Sequence, residues 1–174
     1  MVKKLSMPTT NTAETIATST RDEVVKEAKR IEEASLYSAK GHFTAARIWS
    51  NFHTVIGLLI SVLSALAAAF IFAEKQYIWV GILSLIVTIL SGVATFLNPN
   101  HRSALHLGTG NDYDALSGQS RIFWTIDCWT DGASDKLLTQ RVKDLSEHKN
   151  RLNKSSPIIP RWAYLLGKKG IEAG

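Results

Sequence analysis

Two stretches decide the fold: TVIGLLISVLSALAAAFIFA at residues 54–73 and YIWVGILSLIVTILSGVATFL at residues 77–97. Neither contains an Asp, Glu, Lys or Arg. Each is about 20 residues long, and at 1.5 Å of rise per residue such a helix measures about 30 Å, the thickness of a hydrocarbon core. A buried helix of a soluble protein rarely runs that far without a charge. Only Glu74-Lys75-Gln76 separates the two runs, which is too short for anything but a tight helical hairpin. We therefore read residues 53–73 and 77–97 as transmembrane helices 1 and 2.

The flanks support this reading. Trp49 and Phe52 precede the first span, and Tyr77 and Trp79 open the second, as in an interfacial aromatic belt. The second span runs into Asn98-Pro99-Asn100, where Pro99 cannot continue a helix without losing a hydrogen bond. Arg47 lies before the first span and His101 and Arg102 follow the second, whereas Glu74 and Lys75 cancel in the loop. The positive-inside rule then puts both termini on the cytoplasmic side.

Outside the hairpin the pattern is helical and amphipathic. Residues 1–19 read as a polar, disordered tail and not a signal peptide, because no apolar core follows Lys3 and Lys4. Residues 20–174 read as one domain. A helix over 20–52 starts at the capping signature Thr20-Arg21-Asp22-Glu23 and carries Val24, Ala28 and Ile31 on one face, with Gly41-His42 as the expected break. Residues 101–174 supply further helices, with a break expected at Gly108-Thr109-Gly110, a turn at Asp131-Gly132 and an N-cap at Ser134. Leu138, Val142, Leu145 and Leu152 form a stripe expected to pack against the Val24 helix. Pro160 should open a short last helix. The expected fold is an all-α membrane protein: a two-helix transmembrane hairpin with N- and C-terminal cytoplasmic helices packed as a bundle.

Composition narrows the function. The 174 residues carry a formal net charge of +5 and a single cysteine, Cys128, so no intrachain disulfide forms. The mean hydropathy of +0.02 hides the concentration of apolar residues in the middle of the chain. In the second span Gly81, Ser84, Thr88, Ser91 and Thr95 recur at helical spacing, and Gly57, Ser61 and Ser64 form a weaker version in the first. Such a stripe serves close helix packing, or packing together with lining of a water path. Two helices cannot enclose water, so a pore requires several subunits. Neither span offers a charged filter or proton relay.

Basic residues crowd the C-terminal part: Arg141, Lys143, Lys149, Arg151, Lys154, Arg161, Lys168 and Lys169. They suit contact with anionic headgroups, or with an anionic ligand such as a nucleotide or a partner's RNA. No catalytic, cofactor-binding or metal-binding constellation emerges. Gly167-Lys168-Lys169-Gly170 lacks the spacing of a phosphate loop, and His101 and His106 are five residues apart and share no helical face. An enzyme is not expected, and Cys128 reads as a buried residue.

The order of features resembles the SLATT family of two-span proteins that accompany prokaryotic nucleotide-signalling and reverse-transcriptase defence systems. The resemblance covers residues 34–174. It is carried by Leu36-Tyr37-Ser38-Ala39-Lys40-Gly41-His42-Phe43, Trp49, Asn98-Pro99, Tyr113, Leu116, Arg151-Leu152-Asn153, Ser156-Pro157-Ile158-Ile159-Pro160, Ala163-Tyr164 and Lys169-Gly170-Ile171. It implies an anti-phage membrane effector acting by abortive infection, which oligomerises to form a pore or disrupt the inner membrane. The implied trigger is a separately encoded partner: a reverse transcriptase with its RNA, a nucleotidyltransferase, or a nucleotide sensor. The competing expectation is a membrane-tethered scaffold or receptor that recruits such a partner without making a hole.

Overall fold

The computed structural model describes residues 10–161 except 73–76, together with 163, 165 and 166, and side chains from residue 20 onward. The described residues are helical with no strand: α1 (Thr10–Phe72), α2 (Tyr77–Leu97), α3 (Pro99–Thr125), a single 3-10 turn at Asp127–Trp129, and α4 (Asp135–Ser155). Two of these helices contain stretches long and apolar enough to cross a membrane. The chain divides into two compact units: Met1–Ala39 with Asn111–Ser156, and Lys40–Gly110 with Pro157–Gly174.

Two expected breaks are absent, for a physical reason in each case. Helix α1 passes through Gly41-His42 because Ala39, His42, Ala45 and Ala46 are all buried there, and packing outweighs one glycine's entropy. Helix α3 passes through Gly108-Thr109-Gly110, where Gly110 is a contact residue: a Cβ added to it would sit 2.7 Å from the Phe43 ring. Helix α1 also starts at Thr10, ahead of the Thr20 signature. The linker 74–76 and the residues Trp162, Tyr164, Lys168 and Lys169 lie outside those whose side chains are described.

In the first unit, the Val24 face of α1 and the Leu138 face of α4 meet around α3. Val24, Ala28, Ile31, Leu116, Phe123, Cys128, Leu138 and Val142 form one buried cluster, with Leu145 and Leu152 packed at its margin. Polar groups close it. The Trp124 indole donates to the Glu32 carboxylate while the Lys29 ammonium lies 4.4 Å from the Trp124 ring centroid. The Tyr113 hydroxyl donates to Asn153 at 2.7 Å, and the Arg21 guanidinium donates to the Ala133 carbonyl at 3.2 Å. The turn before α4 is as expected: Gly132 sits at φ 84° and the Ser134 hydroxyl accepts from the Leu137 amide at 3.3 Å.

In the second unit α2 gives way to α3 through one residue. Asn98 adopts φ 42°, a left-handed conformation that Asn tolerates, and Pro99 takes the first position of α3. Pro99 thus ends one helix and begins the next. The Asn98 side chain accepts from the His101 amide at 3.4 Å, and Arg102 Nε donates to the Leu97 carbonyl at 2.8 Å, so both helix ends find partners.

Candidate functional site

The hairpin segments are bare. None of α2's residues is buried, and within residues 54–72 of α1 only Ile56 and Ala67 are. The partly shielded residues of α2 are mainly Val80, Leu83, Val87, Leu90, Ala94 and Leu97, an apolar row at three- and four-residue spacing. Ile56, Gly57, Ile60, Leu63 and Ala67 form the matching row on α1. This is the repeat of helices packed lengthwise.

The small polar stripe is displaced from that row by one residue, about 100° around the helix. Gly81, Ser84, Thr88 and Thr95 are exposed, as are Ser61 and Ser64, whereas Ser91 and Gly57 are half-buried. A Cβ added at Gly57, Gly81 or Gly92 would meet nothing within 4 Å. Within one chain, therefore, these glycines permit no close approach.

The hydroxyls also carry less information than their spacing suggests. Thr88 donates to the Ser84 carbonyl and Thr95 to the Ser91 carbonyl, each at 2.8 Å. Ser61 donates to Gly57 at 3.0 Å and Ser64 to Ile60 at 2.7 Å. Each of the four has an acceptor in its own helix, so none needs water or a second helix to be satisfied.

Of the basic residues, Arg141 and Arg151 line one groove of about 480 Å³ in the first unit, together with His148, Asp127, Asp144 and an apolar wall that includes Ile122 and Leu145. Lys143, Lys149 and Lys154 share α4 but not the groove, Arg161 belongs to the second unit, and Lys168 and Lys169 lie outside the described residues. Arg151 also approaches Glu147 at 4.0 Å, one turn away.

The most constrained polar pair was not legible locally. His42 and His106, 64 positions apart, are both buried, and their Nδ1 atoms are 2.9 Å apart. One nitrogen must donate and the other accept, so the pair cannot be doubly protonated in this arrangement. Burial, with the neighbouring His106, pushes the His42 imidazole down to about 4; burial, with Arg102, lowers His106. The hydroxyl of Ser103 donates to the Ala46 carbonyl at 2.8 Å one turn along. His101 and His106, five residues apart, both line a groove at the start of α3, but only His106 pairs with His42.

Cys128 is fully buried, and burial followed by the Asp127 carboxylate raises its thiol, so it is a packing residue and no thiolate nucleophile. Among the described residues no group of three or more His, Cys, Asp or Glu could hold a metal. No protein-family model matches the chain, and no curated protein or solved structure does either.

Proposed function

We propose that this chain is an integral membrane protein of the inner membrane, with both termini cytoplasmic, and that it acts as an oligomeric effector of anti-phage defence. The observation that supports the membrane reading is the bareness of the hairpin: an α2 with no buried residue that nevertheless presents Leu85, Ile86, Ile89 and Val93 outward. In water such a surface aggregates; in hydrocarbon it is solvated, and each helix satisfies its own backbone.

The effector reading rests on the resemblance to the SLATT family and on the free stripe. Gly81, Ser84, Thr88 and Thr95 are left outside the self-packed row, so a second copy can dock there through small residues. A ring of copies would then permeabilise the membrane when a separately encoded partner or a nucleotide signal acts on the first unit. The test is membrane potential in cells expressing the chain with its adjacent gene. Depolarisation that disappears in the Ser84→Leu, Thr88→Leu double variant supports a pore; full protection with the potential intact overturns it.

One observation favours a second reading. Thr88 and Thr95 are satisfied within their own helix, as lipid-facing residues would be. The hairpin is then an anchor, and the chain a scaffold that holds a partner complex at the membrane. That reading requires the same double variant to keep its function.

A further inference from the structure

The second unit contains a groove of about 460 Å³ that the basic-residue pattern does not reveal. It lies where α2 ends and α3 begins. Phe96, Leu105 and Ile158 supply its apolar wall, and Asn98, His101, Arg102 and His106 its polar one. Among the described residues no acidic side chain lines it. Phe96 and Ile158 are 90% and 92% exposed, the two most open large apolar side chains among the described residues.

Arg102 is held in place without being consumed. Its Nε donates to the Leu97 carbonyl at 2.8 Å, and its guanidinium carbon lies 5.2 Å from the Trp49 ring centroid. Neither contact uses the two Nη nitrogens, which present the planar fork that pairs with phosphate oxygens. The apolar wall is continuous with the outward face of α2 at Phe96.

We propose that this groove seats one anionic glycerophospholipid, its phosphate on the Arg102 guanidinium and its acyl chains along Phe96, Leu105 and Ile158. This rests on the membrane reading above, which puts Leu97 at the headgroup level. Apolar contact continuous with a span selects a lipid over free phosphate, and a cationic wall with no carboxylate among the described residues selects an anionic headgroup over a zwitterionic one. The bound lipid would brace the α2–α3 joint at Asn98, which with the unbroken α1 is one of the two connections from the hairpin to the rest of the chain.

The experiment is native mass spectrometry of the full chain released from nanodiscs of equal parts phosphatidylglycerol and phosphatidylcholine. Retention of phosphatidylglycerol over phosphatidylcholine is expected, with a reduction of about fivefold in Arg102→Gln, the equivalent of about 1 kcal/mol for one cation at a headgroup. Ile158→Glu, at an exposed position that does not disturb folding, should reduce it at least as much. Equal retention of the two lipids, or selectivity unchanged in both variants, overturns the proposal. Failure of the wild-type chain to enter nanodiscs at all is a distinct result, and overturns the membrane reading together with this one.

Discussion

The first unit and the hairpin are both helical, and they dispose of their large apolar side chains in opposite ways. In the first unit Ile31, Leu116, Phe123 and Leu138 are between 0% and 3% exposed, while Glu23, Lys26 and Glu27–Arg30 occupy the outside. In the two spans of the hairpin Leu58, Leu85 and Ile89 are each more than half exposed and no charged residue occurs. The first is the arrangement water imposes, because burial removes apolar area from it. The second is stable only where the solvent is itself apolar. On the membrane reading proposed above, the molecule would carry the imprint of two solvents.

The comparison breaks most readily at the centre of α2. The Leu85→Arg, Ile89→Arg double variant should lose insertion, each arginine costing about 2.5–3.5 kcal/mol at mid-bilayer. Alkaline carbonate extraction reads this as a shift from pellet to supernatant or to degradation. If the hairpin faces water instead, the same exposed positions tolerate arginine within about 0.5 kcal/mol each, and the fractionation does not change.

Leucine truncation sharpens the contrast. Leu116→Ala, at a fully buried position, should lower stability by about 2–5 kcal/mol through a cavity. Leu85→Ala removes no core contact and should leave thermal unfolding in detergent nearly unchanged. Equal losses at both sites would mean that the two regions are packed alike. Leu145→Asp, at the margin of the same cluster, should also cost several kcal/mol if its carboxylate stays dry.

The His42–His106 pair gives a smaller, pH-dependent effect. Because the folded state holds His42 at about 4 against about 6.5 for a free imidazole, the unfolded chain takes up protons first as pH falls. The pair's contribution is complete above pH 6.5 and declines as the pH falls towards about 4. Hydrogen exchange around Ala46 and Ser103 should quicken over that window, and His42→Phe should remove the slope. The smallest effect expected is at the start of α4, where Ser134→Ala should cost about 1 kcal/mol through the lost cap, measurable as a modest fall in melting temperature.

Much of this was legible in the residues. Period and length announced the hairpin, the Val24 and Leu138 stripes announced their packing, and Ser134 and Asp131-Gly132 announced the entry to α4. These signals are local, set by helix geometry within a few turns. The errors fell where local and tertiary preferences conflict. Gly110 read as a break but is a contact with Phe43, since a missing side chain looks the same whether it loosens a turn or admits a neighbour. Pro99 read as a stop but also begins α3, because a proline is as suited to the first position as it is unsuited to the interior.

What the sequence determined by itself was which residues are apolar, at what period and over what length, and so that the chain is helical with two segments able to cross a bilayer. Which face of each segment turns inward was decided only by tertiary structure. The stripe of Gly81, Ser84, Thr88 and Thr95 and the row of Val80, Leu83, Val87 and Leu90 have nearly the same spacing, and nothing local ranks them. The structure shields the row more than the stripe, and Thr88 and Thr95 of the stripe find acceptors in carbonyls of their own helix. The pairing of His42 with His106 was decided in the same way, by two helices brought together from 64 residues apart.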